Sequence, residues 1–246
     1  MPSIPVDVLR EILKHVHYDD LPTLCRVNKI FCSCSQNVLY RELYGNAHAI
    51  QTLAQSTDLA RRVRSFYYFG SCPELATALR NMSSLRSLNL EAIYDVSILD
   101  GCTFKLDSFS CNFSNSKSLQ QFFTNQPSLT NLTIWNNYYQ PLPLFYERCL
   151  PNLTRVEADS SLLRILIPGR PVRKVIVYSH SRTHSTDLSF FTLSTTPIQN
   201  LTIDYNMLYP KPVSLLVSIF PSLLHLEVIA WGVGSTVRVP LCLSIS

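Results

Sequence analysis

Five cations with no acid among them, Arg164, Arg170, Arg173, Lys174 and Arg182, fall within residues 160–186 of this 246-residue chain. Guanidinium groups pair well with phosphate and carboxylate. The sector is therefore a candidate receiver for an acidic or phosphorylated peptide, with a solvated loop as the plain alternative. Inside it, His180 and His184 stand four apart, an interval zinc sites use, but the segment SHSRTHST offers no third ligand. Chance spacing explains that pair. No phosphate-binding loop, nucleophile elbow or GxGxxG occurs, and six glycines leave little material for a loop that cradles a nucleotide. The available chemistry is recognition: the reading is of a non-enzymatic protein with no cofactor and no metal.

The elements that must position such residues follow from a spacing. An apolar-x-x-apolar-x-apolar hexad recurs about every 23 residues, the step of a leucine-rich-repeat solenoid. It reads Val63/Phe66/Tyr68, Leu85/Leu88/Leu90, Leu106/Phe109/Cys111, Leu129/Leu132/Ile134 and Leu153/Val156/Ala158. It continues with Val172/Val175/Val177, Ile198/Leu201/Ile203 and Leu223/Leu226/Val228. Each hexad alternates in and out, as a half-buried strand does. Segments of helical spacing lie between, such as SCPELATALRNM, SNSKSLQQFFTNQP and KPVSLLVSIFP. Leu162/Ile165/Ile167 also fits the hexad, but Pro168, Gly169 and Pro171 break the chain directly after it, so SSLLRILIPGRP reads as a short helix. The expected fold is α/β, with a parallel sheet on a concave face and helices on the convex face. Strand residues flanking the buried pair then point to the open face, where Tyr67, Trp135 and Tyr178 are natural binding anchors and Lys174 adds charge. Ordinary sheet decoration is the competing account of them. With Arg170 and Arg173 they form the candidate substrate-binding set.

Composition supports a folded, core-rich chain: 46% of residues are apolar and 15% charged. A net charge of +4, a mild surplus spread over about 200 residues, is weak evidence for nucleic acid. The N-terminus carries acids inside its apolar stretch and no cleavage site, and no apolar run is long enough to span a bilayer. The expectation is an intracellular chain, cytoplasmic or nuclear, with no membrane partner. Its eight cysteines include no CxxC pair and read as small buried hydrophobes. The sequons at Asn81, Asn112, Asn131, Asn152 and Asn200 are better explained by the repeat, which places Asn131 and Asn200 inside a hexad. The C-terminus, VRVPLCLSIS, lacks the polar cap of a finished solenoid; the expectation is either a truncated gene model or last residues that fold back loosely.

Residues 1–44 read differently. Ser3 can cap a first helix with Pro5 in its first turn, and Leu9, Ile12, Leu13 and Val16 share one face. Asp20 can cap a second helix containing Pro22. A third stretch runs from about Phe31 through Leu43, with Gly45 ending it. Twenty-two of these 44 residues are apolar, and a unit of that size buries too little surface to be stable alone. Either the repeats or a partner must cover them. Residues 46–60 read as one or two connecting helices.

The run IPVDVLREILKHVHYDDLPTLCRVNKIFCSCSQNVLYREL resembles the F-box, which typically opens Leu-Pro-x-Glu-[Ile/Leu]-Leu. The matching positions are Ile4, Pro5, Val8, Leu9, Ile12, Leu13, Leu21, Leu24, Val27, Phe31, Leu39 and Tyr40. Departures are Ile4 for Leu, Asp7 for Glu and Phe31 where Trp is common. With repeats behind it, the chain resembles the fungal-type F-box proteins with leucine-rich repeats. The resemblance implies a substrate-recognition subunit of an SCF-type (cullin-RING) ubiquitin ligase. The F-box docks on a Skp-type adaptor and through it a cullin, and the repeats capture an unknown protein substrate. It assigns adaptor contact to Ile4, Pro5, Val8, Leu9, Ile12, Leu13, Leu21, Leu24 and Val27. The domain plan is F-box 1–44, helical linker 45–62 and about eight repeats over 63–246. The rival reading is a leucine-rich-repeat scaffold with no ubiquitin role, its N-terminal helices serving only as a cap.

Overall fold

A computed structural model describes residues 4–93, 95–112, 117–135, 149–178, 187–204, 216 and 218–229. Two compact units emerge: one runs to Ala92 and includes Ser97–Leu106, the other holds Ile93–Val96 and everything from Asp107 onward.

The first unit opens with α1 (Val6–Leu13), a 3-10 turn at Tyr18–Asp20, α2 (Leu21–Leu24) and α3 (Lys29–Leu39). Ser3 lies outside the described residues, and Pro5 takes the N-cap position of α1. Asp20 precedes α2 but its side chain makes no capping hydrogen bond. The cap of α3 is Asn28, whose side-chain oxygen accepts from the Ile30 and Phe31 N–H groups at 2.9 and 3.0 Å. The helix ends at Leu39, earlier than the spacing predicts, because Glu42–Tyr44 form a strand, β1, paired in parallel with β2 (Ser65–Phe69). Gly45 is therefore not a helix stop. It lets the chain pass the Phe66 ring, which a Cβ there would approach within 2.7 Å. Helices α4 (Ala47–Gln55), α5 (Thr57–Ala60) and α6 (Leu75–Asn81) and strand β3 (Ser87–Glu91) follow, and Ser97–Leu106 completes the unit. Asn81 ties α6 to α4 by donating to the Leu53 and Ala54 carbonyls at 3.1 and 3.0 Å.

Six strands follow in the second unit: β4 (Ser108–Cys111), β5 (Asn131–Ile134), β6 (Arg155–Asp159), β7 (Lys174–Tyr178), β8 (Asn200–Asp204) and β9 (His225–Ile229). Each pairs in parallel with the next, and the register sets hexad on hexad: Phe109, Leu132, Val156, Val175, Leu201 and Leu226 stand side by side. The hexad side chains are buried throughout both units, with Val228 half-covered. Helix α7 (Lys117–Thr124) packs Phe122 and Phe123 on Phe109 at ring separations of 5.3 and 6.1 Å. The alternative hexad at Leu162 is indeed helical, as α8 (Ser160–Leu166), capped by Asp159.

Arg170 corrects the expectation of a substrate-binding role. It is 1% exposed, among the largest fully buried side chains in the molecule. Its Nε donates to the Cys149 carbonyl at 2.8 Å, and its Nη1 donates to the carbonyls of Ile165, Leu166 and Pro168 at 2.9, 3.2 and 3.1 Å. The guanidinium thus terminates α8, where the last carbonyls lack helical partners and a cation is favoured. Removing it would strand these carbonyls in the interior. Arg170→Ala is expected to lower unfolding free energy by about 3 kcal/mol or more, while exposed Arg173→Ala changes it by less than about 0.5 kcal/mol. Urea unfolding followed by circular dichroism checks both.

Candidate functional site

The three N-terminal helices enclose a small core. Leu9, Leu13, Leu21 and Cys34 are buried, with Val16, Leu24, Phe31, Val38 and Leu39 packed around them. Leu9, Leu13 and Leu21 are at most 4% exposed. Their area is spent holding α1, α2 and α3 together, which leaves almost none of it open to a partner in this structure. Leu24 is half-buried in the same core.

What remains outside is apolar as well. Ile4 is 56% exposed, Val6 40%, Val8 49%, Ile12 49%, Tyr18 56%, Val27 57% and Ile30 54%. Pro5 is also exposed. Val8 and Ile12 are one turn apart on α1, so they share a face, and Ile4 precedes them by the same interval. Their polar neighbours are occupied with each other: Arg10 pairs with Asp7 at 3.2 Å and Lys14 with Glu11 at 2.6 Å. The Lys14 hydrogen bond and charge hold the Glu11 carboxyl below its usual range. Seven large apolar side chains face water within 27 residues, more than a small helical unit needs to leave open. Of the expected adaptor set, Ile4, Pro5, Val8, Ile12 and Val27 are exposed, and Val6, Tyr18 and Ile30 are exposed as well, unforeseen.

The expected substrate set disperses. Tyr67 is half-buried on β2, with its ring 5.5 Å from that of Tyr44 on β1. Partial burial and neighbouring Glu91 push its hydroxyl pKa up. Tyr44 and Phe69 are 81% and 66% exposed; the outward position of Phe69 follows from its hexad, whereas Tyr44 was missed because β1 carries none. In the second unit, half-buried Trp135 stacks on Tyr178 at 4.3 Å. Tyr178 is consequently 7% exposed, a buried partner of Trp135 and not a free anchor. Arg173 is exposed and Lys174 half-buried.

The basic sector also contains less available charge than its sequence suggests. Arg170 is interior, Arg182 lies outside the described residues, as do His180 and His184, and Arg164 bonds Asp187 at 2.9 Å while resting 5.0 Å from the Phe190 ring centre. Hydrogen bonds from Ser189 and Arg164 draw the Asp187 carboxyl down to about 2. A carboxyl depressed in the folded state stabilises above its unfolded pKa and loses that contribution as pH falls toward the folded value. The Asp187 link is therefore intact at neutral pH and released between about pH 5 and pH 2. Arg164→Ala should raise the Asp187 midpoint only in part, since Ser189 remains; carboxyl carbon NMR titration reads it.

The described cysteines are all free. Burial pushes the Cys25 thiol up, does the same for Cys72, and takes Cys102 to about 12. Among the described residues, no group of three or more His, Cys, Asp or Glu is placed to hold a metal ion. No described helix is long and apolar enough to cross a membrane.

No curated protein matches this chain. Residues 1–42 match the F-box domain family. That stretch contains the three helices and all seven outward apolar side chains, and it makes this chain similar to the F-box proteins.

Proposed function

We propose that this chain is a non-catalytic substrate receptor of an SCF-type ubiquitin ligase, its N-terminal helices seated on a Skp-type adaptor and the downstream strand–helix units, of leucine-rich-repeat type, holding a protein substrate. One observation supports this above the others: the F-box match coincides with apolar side chains that the described residues leave exposed. A helical cap with no partner would have no use for Ile4, Val8, Ile12, Val27 and Ile30 in water. The receptor needs no reacting groups of its own. Tethering brings substrate lysines close to the ubiquitin-charged enzyme and raises their effective concentration. Capture is assigned to the strand face opposite the core, where Tyr44, Tyr67 and Phe69 form an aromatic patch in the first unit and Trp135 stands in the second.

Co-expression with a Skp-type adaptor tests the seat. A one-to-one complex is expected on size exclusion, and Val8→Asp with Ile12→Asp should weaken it at least about 30-fold, the loss expected when central apolar anchors are charged. Both side chains face water, so the uncomplexed variant stays folded. A complex indifferent to the two substitutions, or no complex at all, overturns the reading. The separate variant Tyr44→Ala/Phe69→Ala should retain adaptor binding while weakening substrate capture in a proteasome-inhibited pull-down.

A further inference from the structure

Apart from the apolar surface, the first unit has an open cleft of about 650 Å³ lined by Asn37, Arg41, Arg61, Arg62, Arg64 and Arg86. Three of these arginines form a ladder. The Arg64 and Ser65 N–H groups both donate to the Arg41 carbonyl at 2.9 Å. The Arg86 and Ser87 N–H groups donate to the Arg64 carbonyl at 2.8 and 2.9 Å. Arg41, Arg64 and Arg86 therefore precede β1, β2 and β3 at one strand interval each, about 4.8 Å apart. The repeat does not dictate arginine there: the equivalent row in the second unit reads Asp107, Thr130, Thr154, Arg173 and Gln199.

Three of the five cations are held in place. Arg62 donates from Nη1 to the Ser33 carbonyl and the Asn37 side chain at 2.9 and 2.8 Å, and from Nη2 to Asp58 at 2.8 Å. Arg64 is anchored by one nitrogen to the Ser84 carbonyl at 3.0 Å, and Arg86 reaches that of Lys105 at 3.5 Å. Arg41 and Arg61 are exposed, and their guanidinium groups make no hydrogen bond or ion pair among the described residues. Positive charges gathered in one concavity repel each other and concentrate anions. No carboxylate is among the lining residues.

We propose that this cleft binds an acidic segment of a protein partner, a short stretch bearing closely spaced oxyanions, either carboxylates or phosphate. The ladder spans about 10 Å, the length of three extended residues. Guanidinium forks accept either oxyanion bidentately. Nucleic acid is disfavoured because no aromatic ring lines the cleft to stack a base. The site is distinct from the apolar adaptor seat and does not require the ligase reading.

Fluorescence anisotropy of the full chain tests it, using a labelled dodecapeptide with six consecutive glutamates, its glutamine counterpart, a doubly phosphorylated serine peptide and a single-stranded oligothymidine. The glutamate or phosphoserine peptide is expected to bind, weakening as salt rises, and the tighter of the two identifies the oxyanion. Arg41→Gln/Arg61→Gln, which removes no internal bond, should weaken it about three- to tenfold, leave the thermal midpoint unchanged and leave any adaptor complex intact. Equal binding by this variant, equal binding of the glutamine peptide, or oligothymidine binding as tight as the acidic peptides would overturn the proposal.

Discussion

Within each unit, every strand must sink alternate side chains into one layer while its neighbour does the same in register. Phe66 beside Leu88, and Val156 beside Val175 beside Leu201, are instances of one constraint repeated. Backbone hydrogen bonds between parallel strands fix the interval, and the hexads fix which face is dry. The features above the layer depend on it. Tyr67 and Phe69 face outward because Phe66 and Tyr68 face inward. The arginine ladder exists because each strand start lies against the previous one. Gly45 is there because the Phe66 ring occupies the space a side chain would need.

That dependence explains what was legible beforehand. Period-two burial of large apolar residues leaves a plain trace, so the hexad strands could be read directly, and the breakers after Ile167 revealed the helical nature of Leu162–Leu166. Strand β1 could not: three residues, Glu42, Leu43 and Tyr44, carry no hexad, and only their pairing with β2 makes them a strand. The F-box positions were legible as a set but not individually. Leu9 and Val8 are adjacent and both apolar, yet one is interior and one faces water, a choice made by which face of α1 packs into the shared core. Arg170 was misjudged for a related reason. Arginine in a run of cations reads as surface charge, and nothing local reveals that four carbonyls converge on it. The ladder did leave a signal: the second residue of the first two hexads is Arg64, then Arg86. Its third member needed β1.

Charge is consequently distributed against the impression given by sequence. The conspicuous cluster at residues 160–186 is partly spent on structure, through Arg170 at the end of α8 and Arg164 on Asp187. The inconspicuous arginines, dispersed over residues 41–86, converge in space. A cation used to satisfy buried carbonyls is not available to a ligand. One anchored at a single nitrogen over an open cleft is pre-organised at little further entropic cost.

Both surfaces of the first unit meet on α3. Ile30, near its start, faces water with the apolar set, and Asn37, two turns later, lines the arginine cleft. A rise of 1.5 Å per residue puts them about 10 Å apart along the axis. The two chemistries suit different tasks. Desolvating aliphatic side chains gives a durable seat whose strength is little affected by salt. Clustered guanidinium groups attract an oppositely charged segment at longer range and release it as ionic strength rises. In the proposed receptor that division would let the attachment persist while cargo turns over. Placing both on one short helix keeps an acidic segment, once bound, within a fixed distance of whatever protein covers Ile30, with no flexible linker to dilute the effective concentration.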